Sequence, residues 1–315
     1  LESGLMLVMG EVHTGLLQNS GEIPESSARD VLRLLAGETV RVSRRPIAYA
    51  VSPDRLTGVD CRLPAASQSR VRGVGTVVSR SSITGGRVVQ GSSYAHVQRS
   101  GSDRRLAWSH YLARPGVIEV FGKARAEDLA DGFTEDPPAD CLDLGAISAR
   151  FMDTVQASPL LDRRAPFKIA RARLRWVART GEPAIRLTLH SDQVRTLRIV
   201  HEGEFTPAVA DLCEDLALHD WLLTALLVII ERARVGGRPG PEAAAKLAPA
   251  VDHLLHLWMP AARVDDALAP FWESLDRRPG FTRQWQSLVD RVRDQVAVNT
   301  LALLSATADA GRRRQ

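Results

Sequence analysis

Residues 167–200 decide how the chain is read: Phe167-Lys-Ile-Ala-Arg-Ala-Arg-Leu-Arg-Trp-Val-Ala-Arg179, then Thr180-Gly-Glu-Pro183, Ala184-Ile-Arg-Leu-Thr-Leu189 and Val194-Arg-Thr-Leu-Arg-Ile-Val200. Ala170, Ala172, Leu174, Trp176 and Ala178 alternate with Arg171, Arg173, Arg175 and Arg179. That period of two belongs to a half-buried strand. Thr180 to Pro183 and Ser191 to Gln193 carry turn residues, and Ile185, Leu187 and Leu189 repeat the alternation. The stretch predicts a three-stranded antiparallel meander. Its inner face is apolar, and its outer face carries Arg171, Arg173, Arg175, Arg186 and Arg198.

Toward the N-terminus the pattern is of short strands broken by turns: Leu7 to Val12, Thr39 to Val42, Ile47 to Val51, Val71 to Val78 and Arg87 to Gln90. Ser26 and Ser27 precede a two-turn helix over Ala28 to Leu35, stopped by Gly37. Prolines make Glu135 to Asp140 the best linker, and a helix from about Leu144 to Val155 follows it. Toward the C-terminus, Val209, Leu212, Cys213, Leu216, Leu223, Leu227 and Ile230 recur at three and four, predicting one long helix that Gly236, Gly237 and Pro239 end. Pro241 opens a second helix to about Trp258, and Val264 to Leu275 and Thr282 to Ser305 complete a helical bundle. The expected class is α+β: a β-rich region over 6–135, a helix plus the meander over 141–201, and helices over 204–305. Residues 1–5, which precede Met6, and 306–315 are expected to stand outside the folded part.

Composition narrows the classes further. With 315 residues, 44% hydrophobic and a quarter charged with both signs mixed, the chain is neither a disordered tail nor a disulfide-stapled miniprotein. Cys61, Cys141 and Cys213 are odd in number and far apart, which suits a reducing cytoplasm rather than a disulfide framework. The longest apolar run, Trp221 to Ile230, is about half of the ~20 residues needed to cross a bilayer, so no membrane association is expected. Charge is segregated: 161–201 holds 10 basic and 3 acidic residues, whereas 202–310 holds 10 basic and 16 acidic. Only Lys123, Lys168 and Lys246 are lysines, so the arginine bias reflects composition before it reflects phosphate binding.

Four constellations bear on chemistry. Gly86 to Gly91 has the glycine spacing of a phosphate loop but lacks the lysine and leads into an extended segment, so an ordinary turn is expected. Asp211, Asp215 and His219 share one helical face, with Glu214 and Asp220 beside it, and His253 and His256 share another; without a Glu-x-x-His pair they read as solvated faces, with no metal expected. Trp108-Ser-His-Tyr111 reads as a partly buried loop. The arginine face is the best surface signal. It lacks the aromatic platform of a nucleic-acid-reading sheet, because Trp176 falls on the apolar side, so a protein partner or the chain's own acidic helices is the expected counterpart.

Gly10-Glu-Val-His-Thr-Gly-Leu-Leu-Gln-Asn-Ser20, Arg45-Pro-Ile-Ala-Tyr-Ala-Val-Ser-Pro-Asp-Arg-Leu-Thr-Gly-Val-Asp60, Gly85-Gly-Arg-Val-Val-Gln-Gly-Ser-Ser-Tyr94 and Leu212-Cys-Glu-Asp-Leu-Ala-Leu-His-Asp-Trp-Leu-Leu-Thr224 together resemble an uncharacterised protein family of Streptomyces and related actinomycetes. The resemblance runs from Met6 to about Ser305. It implies a cytoplasmic component of a multi-gene cluster whose neighbours include an atypical P-loop protein and a methyltransferase-like protein, and it implies no activity, cofactor or catalytic residue. The leading expectation is a non-enzymatic adaptor or scaffold with partners from the same cluster. The alternatives are an enzyme acting on a nucleotide or other small molecule, with its site between Arg45 and Gly116 around His110, Tyr94 and Arg45, and a nucleic-acid binder using the basic meander.

Overall fold

The apolar alternation that opens the chain builds the strand around which the rest is arranged. In the computed structural model, which describes residues 5–135, 137–203, 207–235 and 241–312, β1 (Leu5–Leu16) lies between β6 (Val88–Arg99) and β8 (Ala172–Thr180), antiparallel to both. The other strands are β2 (Arg41–Ser43), β3 (Tyr49–Val51), β4 (Arg55–Leu63), β5 (Val71–Thr84), β7 (Val117–Phe121), β9 (Ala184–Leu189) and β10 (Val194–His201). They form one mixed sheet of 10 strands in the order β2-β3-β5-β7-β6-β1-β8-β10-β9, with β4 alongside β5. One sheet thus runs through both 6–135 and 141–201.

Because side chains alternate across a strand, the register sorts the sheet into two faces. Val8, Val12, Tyr94, Leu174, Trp176, Leu197 and Ile199 share one core. On that face packs the C-terminal layer of α5 (Ala208–Ala233), α6 (Pro241–His253), a 3-10 turn at Leu255–Leu257, α7 (Ala269–Arg277) and α8 (Phe281–Arg312). Leu7, Met9, Val97, Ile118 and Val177 face the other way, against α3 (Ala126–Thr134) and the start of α4 (Leu144–Gln156). The rest of α4 and α1 (Glu25–Leu32) close a neighbouring core. The short α2 (Trp108–Leu112) precedes β7. With 39% helix and 27% strand the class is α+β.

The meander is not the antiparallel one expected. β9 and β8 are not neighbours; β10 enters between them, parallel to β8 and antiparallel to β9. The burial pattern gives the reason. β10 buries Leu197 and Ile199 on one face and Thr196 on the other, so it profits from neighbours on both sides, whereas β9 is exposed at four of its six positions. A strand placed between two others buries both faces, and the one that cannot is left at the edge.

Other differences are local. α1 starts at Glu25 after Pro24, with no side-chain cap from Ser26 or Ser27. α4 begins where expected, because the Asp143 carboxylate accepts the Ala146 N–H at 2.8 Å. The helix begun at Pro241 ends at His253 rather than Trp258. Residue 5 belongs to β1, and α8 continues through 306–312, within the tail expected to be unstructured. Residues 1–4 and 313–315, Asp136 in the expected linker, Thr206, and the Gly236, Gly237 and Pro239 stop lie outside the described residues. No helix among the described residues is long and apolar enough to cross a membrane.

Candidate functional site

The arginine alternation places Arg173, Arg175, Arg186 and Arg198 on the sheet face that bears α3 and α4, but not on one open surface. Arg175 is buried, donates to the Glu11 carboxylate at 3.3 Å and to the Glu135 carbonyl at 2.6 Å, and Arg173 approaches Glu11 at 3.9 Å. Arg171 meets Asp153 of α4 at 2.6 Å, and Arg198 meets Asp131 of α3 at 2.6 Å. Arg179 adds a third bridge, to Glu127 at 2.5 Å. The acidic counterparts therefore come from β1, α3 and α4, not from the acid-rich C-terminal segment. Burial raises the Glu11 carboxyl above its usual range against the pull of Arg175 and Arg173. The neighbouring His13, hydrogen-bonded through Nδ1 to Ser148 at 2.8 Å, is lowered to about 4, chiefly by burial and then by Arg173 and Arg171.

Arg186 is different. It sits exposed on β9, the last strand of the sheet, beside a cleft of about 400 Å³ lined by Glu127, Asp131, Arg179 and Arg198. On the opposite face the same strand borders two further clefts. Ala184 and Ile185 line one of about 480 Å³ with Val209, Leu268 and Phe271. Leu187 and Leu189 line one of about 570 Å³ with Leu223, Leu227 and Phe281, floored by the buried Arg195–Asp220 pair at 3.0 Å.

The backbone of β9 can be followed residue by residue. The His190 N–H donates to the Val194 carbonyl at 3.0 Å, so residues pair in register with β10 from that bond. In an antiparallel ladder, bonded and non-bonded pairs alternate. Ala184, Arg186 and Thr188 therefore turn their N–H and C=O toward β10, and Ile185, Leu187 and Leu189 turn theirs outward. Among the described residues no strand pairs with that outer edge. Of the two other edge strands, β2 has three residues, and β4, of nine, pairs with β5 on one side and meets Cys141 through a bridge at Arg62 on the other; β9 has six, with a proline only before its start and Leu189 61% exposed.

The other constellations have structural work. Gly85 and Gly86 adopt positive φ, 57° and 60°, at the centre of the turn between β5 and β6 that the Arg87 N–H closes onto the Thr84 carbonyl at 3.1 Å. No helix follows it, so this is the expected turn. Far from forming solvated faces, Glu214, Asp215, His219 and Asp220 are all buried in α5, a correction to the sequence reading. Arg80 of β5, itself buried, donates to Glu214 at 2.7 Å and to Asp211 at 2.5 Å. Burial opposes ionisation of Glu214, yet Arg80 prevails and holds the carboxyl below its usual range. Gln90 donates to the Glu214 carbonyl at 2.8 Å and accepts from Arg263 at 2.9 Å. The His219 Nδ1–H donates to the Asp215 carbonyl at 2.7 Å while Nε2 accepts the Met259 N–H at 3.2 Å, so the ring is neutral, and burial lowers its basicity. Asp215 accepts from the Trp272 indole at 2.7 Å and from the Ala261 N–H at 2.8 Å, tying the loop before α7 to α5. His253 is paired with Arg87. No group of three metal-binding side chains occurs among the described residues.

The expected enzyme cluster is dispersed. His110 bonds through Nε2 to the buried Glu119 at 2.7 Å, Tyr94 lies against Trp176 on the C-terminal-layer face, and Arg45 is exposed in the loop before β3. The free edge of β9 escaped the sequence reading, although Pro183 and the brevity of Ala184 to Leu189 were its signal. No known protein family, curated protein or solved structure matches the chain.

Proposed function

We propose that the chain is a non-enzymatic adaptor that takes up an extended segment of a partner protein as an eleventh strand along β9. The observation that supports this reading is the outer edge of β9, whose outward N–H and C=O groups at Ile185, Leu187 and Leu189 lie between clefts on both faces. Free edges of this length are ordinarily blocked, and an added strand would satisfy their hydrogen bonds while its alternate side chains enter the flanking clefts. The linings specify the ligand. Side chains entering the clefts of Phe271 and of Leu223, Leu227 and Phe281 are apolar; on the other face an acidic side chain would meet Arg186, since Arg179 and Arg198 of that cleft are paired with Glu127 and Asp131. The partners proposed are products of the same gene cluster, the P-loop-like and methyltransferase-like proteins.

Nucleic-acid binding finds less support, since Arg171, Arg173, Arg175 and Arg198 each meet a carboxylate of the chain itself. The test is co-purification with each cluster protein. Leu189→Pro removes one outward N–H without touching the ladder to β10, and should abolish a complex that Leu189→Thr, which keeps the N–H, retains. Equal retention by both variants would sink the proposal.

A further inference from the structure

On the sheet face that carries the C-terminal layer, the register sets Thr14, Gln90, Ser82, Val51 and Arg41 in one row, running from β1 to the edge strand β2. The inner part of this row is covered. Gln90 donates to the Glu214 carbonyl of α5, and Arg263, from the loop before α7, donates to the Gln90 side chain at 2.9 Å. Toward the edge the row opens into a cleft of about 420 Å³ lined by Arg41, Val42, Tyr49, Val51, Asp211 and Arg263. The Arg263 guanidinium stands over the Tyr49 ring, 5.3 Å from its centre. Small-molecule sites enclose ~300–1,000 Å³, and this cleft falls within that range.

The cleft has two electrical poles. Arg80 alone serves both Asp211 and Glu214, which leaves one negative charge in excess, and it is Asp211 that lines the cleft, its side chain 37% exposed. Burial raises the Asp211 carboxyl above its usual range despite Arg80 and the more distant Arg263, so a cation in direct contact would stabilise its charged form. At the other pole, neither Arg41 nor Arg263 is within ion-pair distance of a carboxylate among the described residues; Arg263 donates to the neutral acceptors Gln90 and Ser82. We infer that this cleft binds a small zwitterion, a free α-amino acid with an apolar side chain. Its carboxylate meets Arg41 and Arg263, its ammonium meets Asp211, and its side chain lies along Val42, Val51 and the Tyr49 ring. A phosphate dianion fits less well, because it would stand beside the Asp211 charge. An amine without a carboxylate would leave both guanidinium groups unmatched. β2 and β9 are opposite ends of the sheet, so this inference stands apart from strand addition at β9.

The test is isothermal titration calorimetry of the full chain with free leucine, valine and phenylalanine at up to ~10 mM. Binding of at least one of them with one-to-one stoichiometry is expected. Arg41→Gln should bind that amino acid at least about tenfold more weakly while melting at the wild-type temperature, since Arg41 is exposed. The wild-type chain should prefer the amino acid at least about tenfold over the α-hydroxy acid with the same side chain, and Asp211→Asn should erase that preference. No binding of any of the three, or binding indifferent to Arg41→Gln, would overturn the inference. So would a preference that survives Asp211→Asn, or equal binding by the wild-type chain of the hydroxy acid, of the amino acid's amide or of inorganic phosphate.

Discussion

Replacing Arg80 by methionine isolates the buried charge network that joins β5 to α5. Glu214 is 2% exposed and loses the guanidinium that donates to it at 2.7 Å. Asp211 is 37% exposed at its side chain and can be rehydrated, so the orphaned charge is mainly that of Glu214. Removing one partner of a buried pair destabilises by about 3–5 kcal/mol, whereas replacing both by apolar groups is often close to neutral. Urea denaturation should therefore show Arg80→Met losing about 3–5 kcal/mol at pH 7.5, and Arg80→Met/Glu214→Met recovering much of it. The single variants should couple by at least about 1.5 kcal/mol. The pH dependence has a definite sign. With Arg80 gone, burial, the largest influence on Glu214, is opposed only by Arg263 and Ser92 and should raise its folded pKa above the unfolded value, so that the folded variant takes up a proton that the unfolded chain does not. Its deficit relative to wild type should shrink as pH falls from 7.5 toward 5. Additive single and double variants, or a deficit that ignores pH, would show that Arg80 and Glu214 are not energetically paired.

Three further outcomes are expected. A Cβ at Gly10 would stand 2.4 Å from the Trp176 ring, so Gly10→Ala should cost at least about 1–3 kcal/mol by overpacking, read as a lower urea midpoint. Asp215→Ala leaves the Trp272 indole and the Ala261 N–H without their acceptor, about 1–3 kcal/mol for each buried group; limited proteolysis should show the loop of residues 254–268 opening before the sheet. His13, lowered to about 4 from 6.5 in the unfolded chain, binds fewer protons folded than unfolded between these values. Its contribution to stability is therefore present above pH 6.5 and is lost as pH falls toward 4, by about 3 kcal/mol at most. Denaturation of His13→Phe across that range should show a shallower acid decline than wild type.

What the sequence made legible is what local pattern encodes. Period two at Leu7 to Val12 and Ala170 to Ala178 found the strands at the centre of the sheet, and the heptad-like spacing from Val209 to Ile230 found α5. Pairing across the chain was not legible. Arg80 and Glu214 are 134 residues apart, so Glu214 read as a helix-surface carboxylate until β5 brought a guanidinium to it. The arginine face read as open for the same reason: its counterparts, Asp131 and Asp153, lie on helices that no local pattern placed over those strands. The β8–β10–β9 order likewise depends on which strand buries two faces, a comparison between strands rather than a property of any one.

The most direct test of the proposed adaptor role is hydrogen exchange across β9, measured by mass spectrometry on the full chain alone and with each of the proposed partner proteins. In the free chain, amides of Ile185, Leu187 and Leu189 should exchange much faster than those of Arg186 and Thr188, which bond to β10. The complex should slow these outward amides selectively. A stable complex that leaves residues 184–189 unchanged would contradict strand addition at this edge.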